Sequence, residues 1–223
     1  MPNAGDVSIV RALAERIASI AALPVQEEKR ELWRKLNAKK PDRPMVMIDQ
    51  VCWNEMNVGG ILDLRCEDPD CRGYEDVFRK TLYQWDHFRV DMVVEPFVRV
   101  PKAIHNTGFG IDVHDECAVT DPQNDVVGHK YENQFKTDAD LDRIQTPVVR
   151  HDLEETRRRV SVAHELFDGI LDVLPWGADP YLSLWDPIST WMGVQEALYG
   201  IIDRPAYRSE EHTSELQSPN TSS

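Results

Sequence analysis

The chain has no long apolar run. Nothing in it approaches the ~20 consecutive apolar residues of a membrane span, and near the amino terminus Arg11, Glu15 and Arg16 interrupt every apolar stretch. No signal peptide is legible there, and the expected compartment is the cytoplasm. Positive charge is short: 25 Lys and Arg face 39 Asp and Glu, a formal net charge of -14 at pH 7. Such a surface repels phosphate backbones and anionic bilayers, so neither nucleic acid nor membrane is an expected partner. Cysteine is sparse, at positions 52, 66, 71 and 117, which fits reduced thiols. Cys66 and Cys71 are spaced too widely for a Cys-x2-Cys zinc knuckle, and no matching pair follows. A nucleotide-binding glycine loop is also missing; Gly108 and Gly110 alone do not make one.

What is present is enough apolar material for a core, 41% of the residues with six Trp. Ile9, Val10, Leu13, Ile17 and Ile20 recur at helical spacing. Pro24 then opens a second helix, with Glu27 and Glu28 at its start, Lys35, Lys39 and Lys40 at its end, and a stripe of Leu32, Trp33 and Leu36. These two helices form an appendage over residues 1–42.

Three short apolar runs follow, each ending in an acid: Met45–Ile48 before Asp49, Met92–Val94 before Glu95, and Tyr181–Trp185 before Asp186. Between them lie two amphipathic patterns. Tyr74–Phe88 carries Val77, Phe78, Leu82 and Trp85, and Asp152–Leu171 carries Val160, Ala163, Leu166, Phe167 and Ile170. A last helix is marked by Ile188, Trp191, Met192, Leu198 and Ile201. Continuous apolar strands alternating with amphipathic helices predict an α/β fold with a parallel sheet covered on both faces. Acids past the carboxyl ends of strands suit the mouth of a (β/α) barrel. Asp186, with Pro187 after it, reads better as a helix cap. Asp49 and Glu95 read equally well as mouth acids or as caps and loop solubilisers. The alternation breaks once, where Gly108–His114 and Val127–Phe135 flank a turn at Asp121–Asp125 and predict an inserted β-hairpin.

Three stretches carry a resemblance to a family. Gly108-Phe-Gly-Ile-Asp-Val113 is similar to a Gly-Cys-x-x-x-Phe entry into such a hairpin, Lys136-Thr-Asp-Ala-Asp-Leu141 with Pro147 to its exit, and Leu198-Tyr-Gly-Ile-Ile-Asp-Arg-Pro205 to a Leu-x4-Asp-x-Pro helix end. Together they resemble the uroporphyrinogen decarboxylase superfamily over residues 43–207, nearer its corrinoid-linked methyltransferase branch. The resemblance implies a (β/α)8 TIM-type barrel, here incomplete, with substrate at the carboxyl ends of the strands. It implies zinc held by a His-x-Cys and a distant Cys of the carboxyl-terminal half, and a corrinoid protein as partner. One departure stands out. Where the porphyrin enzyme has an Arg-rich cluster, this chain has Asp49-Gln50-Val51-Cys52-Trp53, poorly suited to a substrate rich in carboxylates.

The expected reaction is methyl transfer from a small methylated metabolite. Decarboxylation of a tetrapyrrole or other carboxylated substrate is one alternative, and a non-catalytic corrinoid- or ligand-binding barrel is another. Candidate catalytic residues are Asp49, Glu95 and His105; candidate substrate-binding residues are Trp53, Asn54, Glu55, Arg99 and Lys102. For the arginine and lysine, ordinary surface charge is the competing reading, and for His105 a hydrogen-bonded structural role. His114 and Cys117 could form half a metal site, but the second half is not legible, so no metal ligand is assigned. Finally, Arg208–Ser218 reads Arg-Ser-Glu-Glu-His-Thr-Ser-Glu-Leu-Gln-Ser, the translation of a common sequencing-library adapter. The natural sequence is expected to stop near Tyr207, with 208–223 an appended tail and the barrel cut part way.

Overall fold

The computed structural model describes residues 2–119, 127–177, 183 and 185–203. They form a mixed α/β protein of two compact units: residues 1–103 with 151–178, and 104–150 with the segment from 179 onward. No helix among the described residues is long and apolar enough to cross a membrane.

Unit 1 begins with α1 (Ala4–Ala21), which Asn3 caps by accepting the Asp6 amide at 2.9 Å. Its buried stripe is Val10, Ala14, Ile17, Ile20 and Ala21. Asp6 is buried too, and it accepts the amides of Glu67 and Asp68. Helix α2 (Pro24–Asn37) starts on proline, as expected. Its buried residues, however, are Gln26 and Lys29, while Leu32, Trp33 and Leu36 are half-buried. Polar demand explains the difference. Gln26 accepts the Val94 amide, which a leucine would leave open, and donates to the Ile20 carbonyl, which also accepts from Leu23.

Beyond a four-residue helix, α3 (Trp53–Met56), comes α4 (Pro69–Phe88), capped by Asp68. Then follow β1 (Phe97–Pro101), β2 (Ala103–Asn106), β3 (Asp115–Ala118), β4 (Gly128–Tyr131) and β5 (Val149–Asp152). Asp152 caps α5 (Leu153–Phe167), which leads into β6 (Asp172–Trp176), α6 (Trp185–Met192) and α7 (Val194–Asp203). Strands β1 and β6 pair in parallel. Val98 and Val100 of β1 join the core cluster with residues of α1, α4 and α5. The aromatic centre of that core is Phe167, fully buried, edge-on to Tyr74 and Phe78 at 4.9 and 5.4 Å.

Unit 2 is built from two segments, one between β1 and α5 and one that follows β6. Strand β2 pairs with β5, and β3 with β4 as an antiparallel hairpin. Its core cluster is Phe135, Trp191, Met192 and Ala197. Helices α6 and α7 replace the single last helix expected, because Gly193 turns the chain at φ +79°. Helix α6 already includes Trp185, so Asp186 lies inside its first turn.

Two strand expectations change. Met45–Ile48 is not a strand, and Val46 and Met47 are exposed. The backbone of this run bonds to Asp91 and to the Gln84 side chain instead of a neighbouring strand. Met92–Val94 is not a strand either; β1 begins after Pro96, so Glu95 stands before a strand and not past one. The Tyr181–Trp185 run and the Asp121–Asp125 turn lie mostly or wholly outside the described residues. The three sheets are two-stranded, and among the described residues none closes into a barrel.

Candidate functional site

A cavity of about 620 Å³ opens in unit 1 between one side of α4 and the run from Val93 to Pro101. Its walls are mainly apolar: Tyr74, Val77, Phe78, Val98 and Val100 contribute, and Glu95, Arg99, Arg158 and Arg159 add charge. Most of that charge is satisfied within the protein. Arg158 binds Asp70 at 2.6 Å and Glu155 at 2.7 Å, and Arg159 binds Glu155 at 2.8 Å. The hydrogen bonds from Arg158 and Arg159 hold the Glu155 carboxyl down at about 2. Glu95 accepts from Arg30 at 3.0 Å. Burial pushes the Tyr74 hydroxyl up to about 12, so it remains a neutral donor.

Arg99 differs. Alternation along β1 turns it away from Val98 and Val100, and its guanidinium lies 4.1 Å over the Trp176 ring. Among the described residues no carboxylate pairs with it. A guanidinium resting on an indole keeps its in-plane donors available for a carboxylate or phosphate.

The structure brings two of the candidate residues, Glu95 and Arg99, to one cavity. Trp53, Asn54 and Glu55 share α3, with Trp53 edge-on to Tyr83 at 6.1 Å and the Lys80 ammonium 5.8 Å from its ring. Asp49 is exposed on the extended run before α3. Lys102 follows β1, and its amide donates to the Trp176 carbonyl at 2.8 Å. His105 belongs to β2 in unit 2 and is exposed. Two placements correct the sequence reading. Arg99, expected with Lys102 and His105 in the segment after the second apolar run, is inside β1, and Glu95 is at the amino end of that strand. Both follow from the start of β1 at Phe97, later than the apolar run suggested.

A second constellation, on the hairpin of unit 2, was not assigned from sequence. Register opposes Cys117 to His129 and Asp115 to Tyr131. Asp115 Oδ2 meets His129 Nδ1 at 2.5 Å, and the Cys117 thiol donates to the same Oδ2 at 3.1 Å. Cys117 Sγ is 3.5 Å from the same His129 Nδ1. The hydrogen bond to His129 lowers the Asp115 carboxyl, and the bond to Asp115 raises the Cys117 thiol. The sequence signal was Asp115-x-Cys117, two residues sharing one face of a strand. His114 and Cys117 are three apart, an odd spacing that sends them to opposite faces in extended chain.

No family model matches this chain, and comparisons with curated proteins and with solved structures find no match either.

Proposed function

We propose that β1, α5 and β6 are part of a (β/α)8 barrel of the uroporphyrinogen decarboxylase type, nearer the corrinoid-linked methyltransferases, acting on a small methylated metabolite with an anionic group. The observation that carries this is the parallel β1–β6 pair. Helices cover one face of it, while the other bears Phe97, Arg99, Leu174 and Trp176. Parallel strands are ordinarily buried on both faces, and a barrel interior is one way to cover such a face. On this reading Trp176 ends β6 at the carboxyl side, where barrel enzymes bind substrate, and Arg99, midway along β1, reaches it through its long side chain.

In this proposal Arg99 grips the anionic group, Trp176 backs it, and Lys102, next along the chain, adds a second cation. Glu95, at the opposite strand end and paired with Arg30, serves structure. Zinc and a corrinoid partner protein belong to the proposal through the resemblance, which assigns no zinc ligand to a residue of this chain. A single arginine with no carboxylate partner among the described residues favours one acidic group on the substrate over the several of a tetrapyrrole.

The test is ligand binding read by tryptophan fluorescence, with three probes: a small N-methylated carboxylate, uroporphyrin and cobalamin. The expected result is binding of the methylated carboxylate, weakened about 10- to 100-fold by Arg99→Ala through loss of a charged hydrogen bond. Preference for uroporphyrin would favour the decarboxylase reading, and cobalamin binding indifferent to Arg99→Ala would favour a carrier. Equal binding of the carboxylate by the protein and by Arg99→Ala would overturn the assignment of Arg99.

A further inference from the structure

We infer that the β3–β4 hairpin holds a divalent transition-metal ion of the zinc class on Asp115 Oδ2, Cys117 Sγ and His129 Nδ1, with a fourth position open to water or a ligand. This does not rest on the barrel reading.

The donor atoms lie within 4.8 Å of one another. They are a carboxylate oxygen, a thiol sulfur and an imidazole nitrogen, the mixed set that suits zinc. Around a tetrahedral zinc, bonded atoms of these kinds stand roughly 3.3–3.6 Å apart. The sulfur-to-nitrogen separation of 3.5 Å is already at that value. The oxygen is closer, 3.1 Å from the sulfur and 2.5 Å from the nitrogen, because hydrogen bonds draw it in. Replacing those bonds with bonds to a metal asks the carboxylate to move by about 1 Å or less, within reach of a rotamer adjustment.

A competing use of the same three residue types is a nucleophilic triad. That arrangement needs the acid on one imidazole nitrogen and the thiol on the other, so that the ring relays a proton between them. Here acid and thiol both address Nδ1. Three donors converging on one point is the geometry of a chelate and not of a relay.

The strand frame supports convergence. Cys117 and His129 are directly opposed, and Asp115 lies two residues along on the same face. The His129 ring is stacked on Tyr131, 5.7 Å away and within 4° of parallel, which fixes its orientation. The opposite face of the hairpin carries the Lys130–Glu116 ion pair, so the donors and the ordinary surface pair are sorted by the pleat. On binding, the Cys117 thiol gives its proton to solvent as the metal–sulfur bond forms; His129 gives up its Nδ1 proton and stays neutral with a proton on Nε2, so that Nδ1 and the Asp115 carboxylate each bond the metal in place of their hydrogen bond.

The test is titration of the full chain with Co(II), then displacement with Zn(II). The expected result is one equivalent of cobalt with a thiolate charge-transfer band and the visible bands of a four-coordinate ion, bleached by zinc. Cys117→Ser should remove the charge-transfer band, and His129→Ala should weaken binding by at least about 10- to 100-fold, the loss seen even for residues that only support a ligand. Cys52→Ser, at the other exposed cysteine, should change nothing. Circular dichroism of each variant reports whether the fold is retained. Absence of the band at saturating cobalt, or its persistence in folded Cys117→Ser, overturns the site.

Discussion

Unit 1 and unit 2 solve the problem of holding a chain together in different ways. In unit 1, three helices close over one face of a parallel strand pair, and buried polar side chains are tied to backbone. Asp6 takes two amides, Gln26 bridges two segments, and Glu75 accepts the amides of Arg65 and Cys66. In unit 2, every residue of β3 is exposed, and the core is a small cluster around Trp191, with Phe109 and Phe135 edge-on at 5.5 and 5.9 Å. Segments with few buried apolar contacts open at low free energy, and such segments commonly carry binding groups. The exposed donor cluster is in unit 2, whereas the cavity with Arg99 is cut into the better-packed unit.

The largest effect that could break this contrast comes from the two aromatic centres. Phe167→Ala removes a fully buried ring and should cost about 3–5 kcal/mol, read as a fall in the urea midpoint of the whole protein. Trp191→Ala should instead lower protection of α6 and α7 locally, with a smaller shift of the global midpoint. If Trp191→Ala lowers the midpoint as much as Phe167→Ala does, the two units are not distinct in stability.

A smaller effect is set by pH. Arg43 binds Asp91 with two hydrogen bonds, at 2.8 and 2.5 Å, and this holds the Asp91 carboxyl down at about 2 against an ordinary 3.8. A carboxyl depressed in the folded state contributes stability that is complete above its unfolded value and is lost as pH falls toward the folded one. The stability gap between the protein and Arg43→Ala should therefore narrow between pH 4 and pH 2. A constant gap through that window would show that Arg43 acts through packing alone.

The smallest effect belongs to Gly193. At φ +79° an added Cβ would also sit 3.1 Å from the Tyr131 carbonyl oxygen, so Gly193→Ala should cost about 1–2 kcal/mol, confined to probes in unit 2.

How much of this was legible depends on whether a signal is local. Helices α1, α4 and α5 follow from spacing of three and four, which is local, although α4 starts at Pro69 under an Asp68 cap, earlier than the Tyr74 that the apolar pattern marks. Of the hairpin only the second arm was legible: β4 lies within Val127–Phe135, but the first strand, Asp115–Ala118, begins just after the expected arm Gly108–His114. Strands depend on partners far along the chain, and there the reading failed. Met45–Ile48 is as apolar as a strand but pairs with none, while β6 is one although Asp172 and Pro175 interrupt its apolar pattern. The Arg99–Trp176 stack needed the β1–β6 register. The Asp115, Cys117 and His129 cluster needed the hairpin register, which no spacing along one strand reveals.

The contrast between the units, and the metal site with it, is tested together by residue-resolved amide hydrogen exchange with and without zinc. The predicted result is slow exchange in α1, α4 and α5 under both conditions. Exchange at Asp115–Ala118 and Gly128–Tyr131 should be fast without zinc and clearly slower with it. Hairpin amides that exchange at the same rate with and without saturating zinc would contradict the account.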